Sequence, residues 1–280
     1  MTRWPLGVFA SIDAGLGVHL DVAHELGVPT IQLHAPHGTS RTVKRAHHFL
    51  ARLAELGIRI SVVFGGFEGE SYADIPTVKR TVGLVPPETR AARLREMKEI
   101  ADFAQLLGVD AVGLHLGFVP HDPADPLFGE VLAVTRELCD HCRAHKQRLH
   151  LETGQESADT LLEFLTCVDR DNLFVNFDPA NMILYGAGDP IPALKKVGHY
   201  VRSVHCKDAK WAARPGEEWG AEVPLGQGDV GMEQFLATLR DIGYEGPLTI
   251  EREIPQDPER QKAEIGHGMR LLESLKAKLL

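Results

Sequence analysis

The sequence predicts an α/β protein, a single (β/α)8 barrel spanning residues 1–280. Three observations carry that prediction: eight short apolar runs alternate strictly with eight amphipathic stretches, no linker cuts the chain, and the long irregular segments all follow strands.

The strands are read at LGVFAS (6–11), TIQLHA (30–35), IRISVVF (58–64), AVGLHLG (111–117), RLHLETG (148–154), LFVNFD (173–178), VRSVHCK (201–207) and PLTIERE (247–253). Helical patterns follow at 17–26, 42–56, 88–107, 128–146, 157–168, 190–197, 231–242 and 257–278, several closing at a glycine, as in HELG, AELG, QLLG and RDIG. A doubly wound open sheet gives the same alternation with fewer strands, so a count of eight favours closure. Segments 65–87, 118–127 and 208–228 read as long loops after strands three, four and seven. In a barrel such loops build the C-terminal face, where barrel enzymes place their sites.

Composition narrows the function. With 44% hydrophobic and 25% charged residues the chain has ordinary globular usage, and no stretch approaches the roughly 18 apolar residues of a membrane span. The opening MTRWPLGVFASID lacks the apolar run and cleavage site of a secretory signal, which points to a cytoplasmic enzyme. Cys139, Cys142, Cys167 and Cys206 are too few and scattered for a disulfide framework, so reduced thiols are expected. Thirty basic against 39 acidic residues give a net charge of −9 without any Lys/Arg run able to track phosphates. No nucleic acid partner is expected; the balance fits a small solute held in a local pocket.

Polar side chains gather at the strand ends, where stability alone favours apolar ones. Glu152 ends strand five, Asp178 strand six, His205 strand seven and Glu251 strand eight. In a closed barrel these strands are neighbours, so their inward-facing side chains converge over one quadrant of the mouth. Three carboxylates and one imidazole form an O3N donor set that suits one divalent ion, Mn2+ first, with Mg2+, Co2+ or Zn2+ as alternatives. Each residue alone also reads as a cap, a loop carboxylate or a satisfied histidine; the consecutive pattern separates the two readings.

The segments LETG, FDPAN, VHCKD and TIERE resemble the sugar phosphate isomerase/epimerase superfamily, the xylose isomerase-like TIM barrels. The likeness covers essentially the whole chain and is strongest over residues 148–253. It implies a metal held by Glu152, Asp178, His205 and Glu251, and in the ketose epimerase branch an acid/base role for Glu152 and Glu251. It also implies a sugar, keto-sugar or cyclic polyol as substrate, isomerised or epimerised through a metal-stabilised enediolate. The chain departs from that branch at Asn181, where a second histidine is usual, and at Trp211, in place of an arginine. A metal-dependent lyase or dehydratase on a 3-keto sugar or inosose is therefore the alternative. An apurinic endonuclease and a non-catalytic polyol-binding barrel are further readings, the former disfavoured by the acidic balance.

Further substrate contacts are expected from Lys207, which strand alternation places on the same side as His205. His115 and His34 end strands four and two, and an imidazole there is able to carry protons near neutral pH. Asn181 is expected to hydrogen-bond a substrate oxygen. Glu156 reads as a substrate contact or as a cap of helix five. Trp211 and Trp219 read as a wall against a sugar ring or as interface residues of a homo-oligomer. His37, His47, His48, His121 and His145 read as solvated surface. Cys139-Asp-His-Cys142 reads as one face of a helix, and Gly65-Gly66 and Gly226-Gln227-Gly228 as turns.

Overall fold

The computed structural model describes residues 3–13 and 16–280. Eight parallel strands close into a barrel: β1 (Leu6–Ala10), β2 (Thr30–His34), β3 (Arg59–Gly65), β4 (Ala111–Leu114), β5 (Arg148–Glu152), β6 (Leu173–Phe177), β7 (Val201–Cys206) and β10 (Leu248–Ile250). Closure runs through β1, which pairs with β2 on one side and with β10 on the other. Among the described residues the helices are α1 (Leu20–Glu25), α2 (Val43–Leu56), α3 (Ile75–Thr81), α4 (Pro87–Leu106), α5 (Pro126–Ala144), α6 (Ala158–Val168), α7 (Pro179–Tyr185), α8 (Pro190–Val197), α9 (Met232–Asp241) and α10 (Pro258–Leu279). None of them is long and apolar enough to cross a membrane.

Strand alternation sets the interior. In β5, Leu149 and Leu151 face the helices, while His150 and Glu152 share the inward face. Each expected ligand has a buried residue two positions earlier: His150, Asn176, Ser203 and Thr249. A polar layer thus underlies the mouth, tied together by His150 Nδ1 to Ser203 Oγ at 2.8 Å and by the Gln32 amide donating to Asn176 Oδ1 at 3.2 Å.

Two of the segments expected to be irregular, 65–87 and 208–228, contain structure, and so does the stretch after β6. The 65–87 segment holds α3, capped by the Asp74 carboxylate on the Thr77 N–H. After β6, α7 starts on an Asp178 cap with Pro179 at its first position and stops at Gly186 with φ 67°. That Asp-Pro start and glycine stop were readable capping signals on a helix too short for hydrophobic periodicity to reveal. The 208–228 segment forms an antiparallel hairpin of β8 (Asp208–Lys210) and β9 (Ala221–Val223). The Asp208 carboxylate braces it by accepting from the N–H groups of Gly226, Gly228 and Val230.

Gly113 in β4 admits the Phe64 ring: a Cβ there would lie 2.6 Å from Phe64 Cζ. That ring sits 5.4 Å from the His205 imidazole and 5.8 Å from Phe9, so displacing it presses on both rings. Gly113→Ala is therefore expected to destabilise the protein by about 1–3 kcal/mol through overpacking and to weaken metal binding. Urea unfolding and metal titration of the same variant check both effects.

Candidate metal centre and substrate cavity

Glu152, the last residue of β5, and His205, within β7, are placed by their strands; Asp178 and Glu251 follow directly after β6 and β10. One donor atom from each lies within 4.8 Å of every other. His205 Nδ1 is 2.7 Å from Glu152 Oε1, 3.3 Å from Glu251 Oε2 and 3.5 Å from Asp178 Oδ2. These approaches are not aligned as hydrogen bonds: Nδ1 and Asp178 Oδ2 are both buried without a hydrogen-bond partner. Two orphaned donor atoms facing one point, inside a ring of carboxylates, fit a divalent cation.

The rest of the site orients these atoms. His205 Nε2 is 2.7 Å from Gln32 Oε1, which assigns the proton to Nε2 and turns the Nδ1 lone pair to the carboxylates. Gln32 is itself held by Asn176 and by the Val204 carbonyl. Asp178 Oδ1 accepts the Asn181 N–H at 2.9 Å, leaving Oδ2 free for the centre. Asn181 also donates through Nδ2 to Glu152 Oε1 at 3.3 Å. Gly154 makes room for it, since a Cβ at that position would lie 2.8 Å from Asn181 Cβ.

Two bases flank the glutamates. His115 Nε2 lies 2.9 Å from Glu152 Oε2, and Lys207 Nζ donates to Glu251 Oε2 at 3.0 Å and to Glu253 Oε1 at 2.7 Å. Burial works against the charged form of His115, but the Glu152 carboxylate outweighs it and lifts the imidazole to about 9. Burial also opposes ionisation of Glu152, yet His115 and His205 hold it at about 2. Glu251 lies well below the ordinary carboxylate value, where burial is overcome by Lys207 and His205. Asp178 goes the other way: burial raises it despite His205 and Lys207. His34 is pushed down to about 4 by burial, so at neutral pH it is an uncharged donor or acceptor.

Two cavities sharing Tyr72, His115 and Glu253 open over these residues. One, about 130 Å³, is walled by Phe9, His34, Phe64, Glu152 and Glu251; the other, about 190 Å³, by Asn181, Tyr185, Trp219 and Glu222. A larger groove of about 520 Å³ lies at the opposite, N-terminal ends of the strands beside Arg148, Arg202 and Tyr244, and includes none of Glu152, Asp178, His205 and Glu251. Chemistry rather than volume marks the site.

The profile of the xylose isomerase-like TIM barrel family matches residues 20–275. The chain belongs to that family. It is 60% identical to a xylose isomerase domain protein from Planctomyces limnophilus, whose crystal structure superposes with a TM-score of 0.97 over 99% of both chains. A xylose isomerase-like TIM barrel protein from Mycobacterium smegmatis, solved in complex with magnesium, is 22% identical with a TM-score of 0.72 over 98% of this chain and 99% of that one. Among curated relatives, inosose dehydratase from Clostridium botulinum (strain Alaska E43 / Type E3) is 28% identical over 120 residues, and the match spans 39% of each chain.

Within this xylose isomerase-like barrel, His34, His115, Asn181 and Lys207 all lie at the mouth, and two other expected contacts do not. Trp211 is 37% exposed at the outer end of the β8–β9 hairpin, where its backbone N–H donates to Asp229 Oδ2, and it lines neither cavity. The hairpin turns the intervening segment back, so Trp219 supplies the aromatic wall, packed 4.6 Å from Tyr185. The Glu156 carboxylate is occupied in accepting the Val119 N–H at 2.9 Å, and Ser157 caps α6 instead. Gln32, Tyr72, Tyr185, Glu222 and Glu253 were not anticipated. Only Gln32 left a usable trace, as a polar residue on the inward face of β2, two before His34.

Glu156 has a measurable consequence. Burial lifts it from 4.5 to about 7 against the Val119 N–H and the His115 charge, so between those values the folded protein binds more protons than the unfolded chain. Its contribution is favourable below pH 4.5 and is lost as pH rises toward 7, amounting to about 3 kcal/mol. Glu156→Gln keeps an oxygen for Val119 and is expected to stabilise the protein at pH 8 and to remove this fall. Denaturant unfolding across pH 4.5–8 measures it.

Proposed function

We propose that this barrel is a divalent-metal-dependent isomerase or epimerase of a sugar, keto-sugar or cyclic polyol, with Glu152 and Glu251 as its acid/base pair and Mn2+ as its first-choice ion. The observation that carries the reading is that each glutamate has its own cationic neighbour: His115 at 2.9 Å from Glu152 and Lys207 at 3.0 Å from Glu251. A cation held by Glu152, Asp178, His205 and Glu251 supplies Lewis-acid polarisation of an α-hydroxy-carbonyl.

The chain's own groups do the proton work. One glutamate, ionised, takes the C–H proton and leaves an enediolate; the other, entering the step protonated, gives its proton to carbon, and proton exchange with solvent resets the pair. Return to the opposite face of the same carbon is epimerisation, and return to the neighbouring carbon is aldose–ketose isomerisation. His115 and Lys207 keep the two carboxylates ionised when they must act as bases. Asn181, His34 and Trp219 are positioned to hold hydroxyls and one apolar sugar face.

A second reading, dehydration of an inosose or elimination from a 3-keto sugar, is favoured by the inosose dehydratase likeness over 120 residues. In it the enediolate expels a hydroxyl that His115 protonates. NMR in D2O with ketohexoses and inososes decides between them. Solvent deuterium at a substrate carbon with all atoms retained supports the first reading, and loss of water the second. Chelation is expected to stop turnover and Mn2+ to restore it; turnover that persists without metal overturns both.

A further inference from the structure

A second cluster of metal-ligating side chains lies outside the barrel, between α4 and α5. His141 and His145 are four residues apart on α5 and its C-terminal cap, which sets both rings on one face. Their Nε2 atoms lie 2.8 and 3.0 Å from the same oxygen of Asp102 on α4, and the rings meet edge to face at 4.9 Å. Donor atoms from all three fall within 4.8 Å of one another. The imidazoles are about one quarter exposed, so water and ions reach them.

We infer that Asp102, His141 and His145 form a surface site for a borderline transition-metal cation, Zn2+ being the first expected, that pins α4 to α5. Two nitrogens and one carboxylate oxygen match the three-ligand sets that hold zinc with a water in the fourth position, and differ from the oxygen-rich set at the mouth. Donors about 2.1 Å from a cation and 90–110° apart stand roughly 3.0–3.4 Å from each other, so the two histidine–aspartate distances of 2.8 and 3.0 Å need only a few tenths of an ångström of adjustment. Each imidazole ligates through Nε2 as its Nδ1–H tautomer, so the proton that Nε2 shares with Asp102 in the metal-free protein leaves that nitrogen on binding.

Two other features support a cation there. Asp102 lies in the closing turns of α4, which ends at Leu106, and the histidines in those of α5, which ends at Ala144, so the negative ends of two helix dipoles converge on the site. One turn earlier on both helices Lys98 Nζ pairs with Glu137 at 2.6 Å, which holds the two helices in the register that aligns the ligands. Cys142 belongs to the same helix but is fully buried and outside the donor set.

The test is zinc stoichiometry and zinc-induced thermal shift for wild type against the His141→Gln/His145→Gln double variant, after chelator stripping. Wild type is expected to retain one more equivalent of zinc and to gain about 5 °C more in Tm at saturating zinc. The variant is expected to keep the wild-type Tm in chelator and the mouth site's response to Mn2+. Asp102→Asn, which preserves both hydrogen-bonding partners, is expected to weaken this zinc by roughly tenfold. Equal zinc content and an equal shift in wild type and the double variant overturn the inference.

Discussion

Asp178→Asn is expected to abolish metal retention at the barrel mouth and to lower kcat/KM by about 10³-fold or more, while the metal-free protein keeps the wild-type Tm in chelator. The separation is possible because the two carboxylate oxygens have different duties. Oδ1 caps α7 by accepting the Asn181 N–H at 2.9 Å, and Asn caps helices as well as Asp does. The backbone on either side is untouched, since Asp178 N–H donates to Thr153 Oγ1 and the Thr153 hydroxyl donates back to the Asp178 carbonyl. Oδ2, fully buried and unpartnered, becomes an amide nitrogen, a donor aimed where a cation needs an acceptor. Metal analysis after gel filtration, Tm in chelator and activity are read on one preparation. A variant with full metal content sinks the assignment of Asp178 as a ligand.

Lys207→Met is expected to destabilise the fold by about 3–5 kcal/mol at pH 7.5, because a buried ion pair broken from one side leaves an uncompensated charge. The Lys207 ammonium is 2% exposed against Glu251 and Glu222, whose side chains are 13% and 14% exposed, whereas Glu253, 2.7 Å away but 66% exposed, is partly screened by solvent. Burial alone would lower the Lys207 pKa, but Glu251, Glu253 and Glu222 raise it well above the ordinary lysine value. Its contribution is thus present below the unfolded lysine value and is lost only as pH rises through the folded one, so it is flat near neutrality. The pH dependence comes from Glu251, whose depressed pKa contributes stability above the ordinary carboxylate value and loses it as pH falls. The deficit of the variant should therefore be largest near neutral pH and narrow below about pH 5, where the stranded carboxylates take up protons. Denaturant unfolding at pH 7.5 and about pH 4 measures it; an equal deficit at the two removes Glu251 as the cause.

Strand positions and the four residues that converge at the mouth were legible for one reason. Strand alternation projects every second side chain inward, so a polar residue at the end of an otherwise apolar run is conspicuous. Glu152, Asp178, His205 and Glu251 stand out in this way, and the pairing of β5 with β6, β6 with β7 and β7 with β10 makes their strands neighbours. The short elements escaped notice because α3 and α7 are seven residues each, too short for a helical period to declare itself, though their Asp caps and prolines did mark them.

Sequence alone determined the barrel, its strand order around the mouth and the four polar residues that converge there, because these follow from local periodicity and from residue types repeated at equivalent strand ends. Tertiary structure alone decided who supports that set. Gln32 reaches His205 across 173 positions of chain, Lys207 meets Glu251 across 44, and the β8–β9 hairpin exchanges Trp211 for Trp219 at the cavity wall. The Asp102, His141 and His145 cluster arises in the same way, from the packing of α4 against α5. Such contacts depend on how loops fold back and helices dock, and no short-range spacing encodes them.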